Sequence, residues 1–403
     1  MRLFRWWLAI MLVAVNLRPV IASVPPLIDL IATELSLSGA EAGLLTALPV
    51  VCMGLFAPVA VRAAGRVGAV RVLAGAVALV VAGIVLRGLA GAPGLYTGTA
   101  IAGIGIAIAG ALLPSLVKAR FPDRIGPVTG VYTAALISGA LLGSALTEPI
   151  RAGFDLTWQA ALAFWALPAM VALAVVAPLA RLAPDRSGGV PRLPWRSGSA
   201  WLVTVYMGLQ SLLFYAALAW LAARYTSLGF DPATGGLLLG VFSGTQVISA
   251  LGLPVLAHRT GDPRPWIALA AAVSAAALVA VALAPQALVP SLAPWLWAGI
   301  LGLGVGGQFA LALTVITEHA STPADAAALS GMAFFVGYPL AALGPVIAGA
   351  LRDLTGGYAV PFLFIAVLAI ATLIVGVRAA RPSPTAPDDS SGYRRRCRVR
   401  RTI

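Results

Sequence analysis

The chain has 403 residues, 60% of them apolar and only 10% charged, and 27 Lys and Arg against 14 Asp and Glu give a net charge of +13. A water-soluble globule of this size does not tolerate that composition, so the chain reads as an all-α integral membrane protein that crosses the bilayer many times. The positive charge invites a nucleic-acid reading, which its placement excludes, because the bases line the polar connections between apolar stretches.

Apolar runs long enough to cross about 30 Å of hydrocarbon predict twelve helices, over 6–28, 40–61, 72–91, 95–117, 127–149, 157–180, 200–223, 234–257, 265–284, 292–317, 326–350 and 359–378. Near the middle of the first stands Arg18. At about 1.5 Å per residue it lies roughly 18 Å from the start of the run, too deep to snorkel. A guanidinium at that depth costs roughly 2.5 to 3.5 kcal/mol on insertion scales and normally faces a cavity or a partner. Arg18 is thus the leading candidate for a substrate site; the plainer reading is a clamp bonded to backbone carbonyls between helices. The stretch from Trp7 to Ile21 has some features of a signal peptide, but Arg18 interrupts its apolar core and the pattern runs on, so no cleavage is expected. Asn16 lies about 200° from Arg18 on a regular helix, and both face one cavity only if Pro19 distorts the backbone. Pro25 and Pro26 add a bend toward the outer end.

The polar connections alternate in charge. Apart from Arg18, only Arg87, Arg151, Arg224 and Arg352 of the 27 basic residues fall on the outer side when both termini are cytoplasmic. The positive-inside rule then places the chain in the cell inner (plasma) membrane with both termini in the cytoplasm. Cys52 and Cys397 are far apart in sequence and environment, and neither a disulfide, a metal site nor a cofactor is expected. The last segment, rich in Pro and Ser and ending in an arginine cluster from Arg394, reads as a disordered tail that reinforces topology; contact with anionic lipid headgroups is the alternative.

The longest polar connection divides the chain into a six-helix bundle over 1–181, a cytoplasmic linker over 182–199, a second bundle over 200–378 and the tail over 379–403. The halves repeat weakly. A shift of 193 superposes Gly43, Arg66, Gly68 and Arg71 on Gly236, Arg259, Gly261 and Arg264, and a shift of 201 places Gly130 and Gly143 on Gly331 and Gly344. Two parallel six-helix repeats around a central site are the plan of major facilitator transporters.

Polar residues at membrane depth nominate a cavity. Ser211 and Tyr215 share a face of the seventh helix, with Gln210 turned about 100° away. Gln246 lies on a polar stripe with Ser243 and Ser249 in the eighth, Gln308 in the tenth and Tyr338 in a Gly-Tyr-Pro bend of the eleventh. Singly, each reads better as interhelical glue; together with an arginine from the other half, they make a shared pocket. Glycine runs from Gly103 and Gly302 lie inside apolar helices with no strand before them, so they are packing surfaces rather than nucleotide loops. Smooth faces at Gly105 and Gly304 would let helices slide. Among the carboxylates none sits clearly in mid-membrane, and an unpaired Arg18 would attract a small anion or an electron-rich planar group held by its fork. Glu148, at the outer end of the fifth helix, is the candidate for proton coupling. His258 and His319 lie at loops, so neither an enzyme nor a metal site is expected. A ligand sensor of the same fold is the rival of a different class.

Longer motifs are similar to one family. N-L-R-P-V-I-A-S-V-P-P-L from Asn16, L-L-P-S-L-V-K-A-R-F-P-D-R from Leu112, G-L-Q-S-L-L-F-Y-A-A-L-A-W-L from Gly208 and L-S-G-M-A-F-F-V-G-Y-P-L-A-A-L-G-P from Leu329 resemble the cyanate and nitroimidazole transporters of the major facilitator superfamily. The loop from Val61 to Arg71 resembles that superfamily's signature, keeping Arg66, Gly68 and Arg71 as a cytoplasmic gating element, while Gly65 replaces the usual Asp. Gly110 stands where the family often carries Asn. The resemblance implies a secondary transporter, a monomer in the lipid bilayer, whose halves rock around a central site lined by helices one, four, seven and ten. It implies a small-molecule substrate that is anionic or nitro-bearing, with drug or azole efflux as the alternative.

Overall fold

A computed structural model describes residues 2–182 and 193–381, apart from 90, 288 and 321. Most of the expected linker and nearly all of the basic tail, Cys397 included, lie outside the described residues. Among the described residues, twelve helices are long and apolar enough to cross a membrane, and each falls on a predicted run. They are α1 (Leu3–Leu35), α2 (Gly39–Val67), α3 (Ala69–Arg87), α4 (Gly91–Arg120), α5 (Pro127–Gly153), α6 (Trp158–Ala180), α7 (Gly198–Thr226), α8 (Pro232–Thr260), α9 (Arg264–Leu283), α10 (Ala293–Glu318), α11 (Asp325–Thr355) and α12 (Ala359–Ala379).

Local chemistry sets the helix ends. Ser38 Oγ accepts from the Glu41 amide while the Glu41 carboxylate accepts from the Ser38 amide, a capping box that starts α2. Thr322 and Asp325 do the same at the start of α11. Gly68 (φ 97°) and Gly261 (φ 73°) terminate α2 and α8 in backbone that would strain any side chain. These are the glycines that the shift of 193 superposes.

The repeat is also visible in packing. A Cβ on Gly143 of α5 would lie 2.8 Å from Cα of Pro19 in α1, and one on Gly344 of α11 would lie 2.6 Å from the Leu212 carbonyl of α7. Corresponding glycines therefore let corresponding helices cross closely in the two halves. Gly105 and Gly304 behave differently from the sliding surfaces expected of them. They press on Ala76 and Val80 of α3 and on Ala270 and Ser274 of α9, inside their own halves and away from the interface that separates them.

The halves meet where α2 runs along α11 and α5 along α8. At the end of the molecule far from the chain termini both seams are tight. Gly39 and Gly43 lie against Gly349 and Pro345, and Gly236 and Gly240 against Ser144 and Ala145. Toward the termini the α5–α8 seam opens. Ile248, Leu251 and Val255 continue the α8 face that carries Gly240 and Gly244, yet they are 65%, 65% and 51% exposed. On α5 the facing positions Gly130 and Ala134 are exposed too. The halves are closed against each other at the far end and part along the α5–α8 seam toward the termini.

Candidate functional site

Helix α1 is not continuous. Regular helix runs over Arg2–Leu17, Arg18 forms a turn, a single helical turn covers Pro19–Ala22, a 3-10 turn covers Pro25–Leu27, and helix resumes over Ile28–Leu35. Three prolines without amide hydrogens account for the interruptions. At the break the Arg18 guanidinium is half-buried in the centre of the molecule, and its Nη1 donates to the hydroxyl of Tyr215 on α7 at 3.3 Å. The Tyr215 hydroxyl also contacts Met53 Sδ of α2 at 3.7 Å. Its ring packs edge-on against Phe214 (4.7 Å) and Tyr338 of α11 (6.5 Å), and Tyr338 stacks on Phe334 at 5.3 Å. Both halves thus contribute to one cluster around a single cation.

Among the described residues, the ion pairs join Glu148 with Arg151, Asp262 with Arg264 and Asp29 with Arg352, and none involves Arg18. A guanidinium carries five N–H donors, and a tyrosine hydroxyl engages one of them. The remaining fork suits a carboxylate, nitro or other planar oxygen pair. The flanking rings suit a planar apolar body.

The other residues nominated from sequence divide into two sets. Gln210 and Ser211 bond to each other at 2.6 Å, buried one turn before Tyr215, with the Gln210 amide also reaching the Met207 carbonyl at 3.1 Å. Gln246 bonds the Phe242 carbonyl of its own helix at 3.1 Å and is half-buried. Asn16 turns to the opposite side of α1 and donates to Leu12 (2.8 Å) and to Pro168 of α6 (3.2 Å), so the break after it does not bring it to Arg18. Gln308 is fully buried and donates to Ser274 of α9 at 2.8 Å. Glu148 is buried and paired with Arg151 at the far end, at 2.7 and 2.8 Å. Arg66 and Arg71 are exposed on either side of Gly68.

The far end has its own polar set. Asp353 of α11 caps the first turn of α2, accepting from Gly39 (2.9 Å) and Ala40 (3.2 Å), where the helix dipole favours an anion. Asp29 of α1 accepts from Thr226 of α7 (2.7 Å) and from Tyr358 (3.4 Å), with Arg352 at 3.9 Å. Burial, aided by the charge of Asp29, pushes the Tyr358 hydroxyl up, so it stays a donor.

Two kinds of residue escape a sequence reading. Met53, Phe214 and Phe334 look like any packed apolar side chain. Arg87, counted with the outer loops, is in fact 1% exposed and bonded to Val20 and Thr99. The apolar run that continues past it to about residue 91 was the available signal.

The family profile of the Major Facilitator Superfamily matches residues 7–342. The chain belongs to this superfamily. It is 36% identical to the 2-nitroimidazole transporter of Escherichia coli over 92% of this chain and 94% of that one. It is also 36% identical to an uncharacterized transporter of Bacillus subtilis, over 92% and 91%, and 33% identical to the E. coli cyanate transport protein CynX, over 93% and 96%. Among solved structures, a bacterial homologue of the lysosomal transporter Spinster superposes with a TM-score of 0.77 at 16% identity, covering 95% of this chain and 98% of that one. A D-xylose–proton symporter gives 0.71 at 14% identity, covering 94% and 99%. These superpositions show that the chain shares their fold, and the superfamily together with the twelve apolar helices makes it a multi-pass membrane protein.

Proposed function

We propose that this chain is a secondary active transporter that moves a small planar anion or a small nitro-bearing aromatic by alternating access. The observation that carries the reading is the Arg18 guanidinium, half-buried between the halves, without a carboxylate among the described residues and bonded to Tyr215 of the other half. A substrate bridging Arg18 and the Tyr215–Tyr338 rings would couple its own binding to the approach of the halves. Gln210, Ser211 and Gln246 supply the pocket's polar lining, and Asn16 and Gln308, bonded to α6 and α9, hold the helices behind it. The ring of Phe214, Tyr215, Phe334 and Tyr338 favours an aromatic substrate over cyanate. It favours azole efflux equally, and the direction of net flux separates the two.

In this reading the chain sits in the inner membrane with both termini cytoplasmic, the bundles span 1–181 and 200–378, and the closed far end faces outward. The state described is inward-open. Arg66, Gly68 and Arg71 form the cytoplasmic gating loop. Glu148 is the proposed proton-coupling group, a buried carboxylate that opening of the far end would bring to water.

The test is flux of labelled 2-nitroimidazole and labelled cyanate into proteoliposomes, with and without a pH gradient. Loss of a charged hydrogen bond to a buried ligand is worth about 1.5 to 3 kcal/mol, so Arg18→Ala is expected to cut flux roughly 10- to 150-fold. Unchanged flux in a folded variant would make Arg18 a clamp and remove this proposal. Glu148→Gln should keep substrate exchange while losing acceleration by the pH gradient; retained acceleration would exclude Glu148.

A further inference from the structure

Arg87 is a second cation buried at membrane depth. It closes α3, is 1% exposed, and reaches two other helices at once: Nε donates to Thr99 Oγ1 of α4 at 3.0 Å and Nη1 to the Val20 carbonyl of α1 at 2.9 Å. Its slot is shaped by a glycine. A Cβ on Gly98 would fall 2.7 Å from the Arg87 amide nitrogen and 2.9 Å from its Cγ. Nη2 is buried with no hydrogen-bond partner among the described residues. A buried guanidinium with an unmatched donor is poor value for stability, since a well-packed apolar group of the same volume does as well or better. Its worth lies in what it orients.

The carbonyl it takes is informative. Val20 lies two residues beyond Arg18, in the isolated turn Pro19–Ala22, which the Ser23 amide closes on the Pro19 carbonyl. Carbonyls at the end of a helical segment need outside partners. A guanidinium supplied from α3 lets α1 end its helix there and resume with a different axis.

We propose that Arg87 is a positioning residue for transport: by holding the Val20 carbonyl, whose partner in a continuous helix would be the Val24 amide, it fixes the short turn Pro19–Ala22 beside the proline break, and so keeps the Arg18 guanidinium turned toward Tyr215 of the other half. This rests on the reading of Arg18 as the substrate-binding cation. Arg87 does not touch substrate; it acts through the backbone of α1. The fork matters because it spans α1 and α4 from α3 with two different nitrogens, whereas a lysine carries its three donors on one nitrogen and cannot reach both acceptors at once.

The experiment has a readout independent of any substrate. In a background with Cys52→Ser and Cys397→Ser, Arg18→Cys supplies a thiol at the site, and its modification by a small membrane-impermeant anionic thiol reagent is timed in proteoliposomes. Because misplacement by about 1 Å can cost orders of magnitude in a directed encounter, adding Arg87→Met is expected to slow modification about tenfold, and Arg87→Lys, which keeps one of the two anchors, about threefold. In chains retaining Arg18, Arg87→Met should raise KM for labelled 2-nitroimidazole about tenfold with Vmax within about twofold, a split that loss of folded protein would not produce. An unchanged modification rate in Arg87→Met overturns the proposal. Slowed modification with flux unaffected by both Arg87→Met and Arg18→Ala leaves Arg87 as the positioning residue and removes Arg18 from substrate binding. Should Arg87→Met not reach the membrane, Thr99→Val removes one of the two anchors; modification slowed about threefold supports the proposal and an unchanged rate overturns it.

Discussion

At the far end the halves are joined by carboxylates, Asp353 on the first amides of α2 and Asp29 on Thr226 and Tyr358, whereas at the centre they meet through one guanidinium–hydroxyl bond of 3.3 Å set among aromatic rings. The first set is saturated, since every acceptor named there has its donor, and water can replace those donors when the seam opens. The central set is not saturated, because among the described residues Arg18 has a single hydrogen bond for its five donors. In the proposed cycle, a seam of complete hydrogen bonds serves as the gate, and the seam around an unpaired guanidinium serves as the binding site.

This contrast can be broken in graded steps. The largest effect is expected at the centre, where Arg18→Ala removes the cation around which both halves build the aromatic cluster. Next comes Gly43→Leu, which drives a side chain into the Pro345 backbone and holds the far end ajar; about tenfold lower flux is expected, with faster labelling of a thiol placed at the far end, since overpacking costs roughly 1 to 3 kcal/mol. Asp353→Asn weakens two amide contacts to a charged acceptor, worth about 1 kcal/mol together with the dipole, and should shift far-end labelling about fivefold. The smallest change is predicted for Arg352→Gln. Its pair with Asp29 spans 3.9 Å and is partly exposed, so flux should stay within about twofold and the difference should vanish in high salt. Equal effects for Asp353→Asn and Arg352→Gln would show that the far end is held by its seams of small residues and not by its carboxylates.

Much of this was legible in the residues. Twelve apolar runs gave twelve helices because the bilayer imposes one length on all of them. Arg18 stood out because a charge in an apolar run has few permitted surroundings, and Tyr215 and Tyr338 because polar atoms at depth need partners. Orientation between helices was less accessible. Periodicity tells which face of α10 carries Gln308 but not that this face meets Ser274 of α9, and it separates Asn16 from Arg18 without saying that Asn16 meets α6. Met53, Phe214 and Phe334 carry no mark of their position, because an apolar side chain lining a cavity has the same chemistry as one filling a core. Gly105 and Gly304 were legible as close-packing sites, but the helices they press on are set by tertiary arrangement.

The exposed stripe of Ile248, Leu251 and Val255 has a thermal consequence. In the proposed alternating-access cycle, reversal would bury this stripe against α5 while the far end releases carboxylates, amides and glycines to water. Burial of apolar surface lowers heat capacity and exposure of polar surface lowers it as well, so both changes act in one direction. The equilibrium between the two states therefore curves with temperature, and cooling, which weakens apolar burial, favours the state described here.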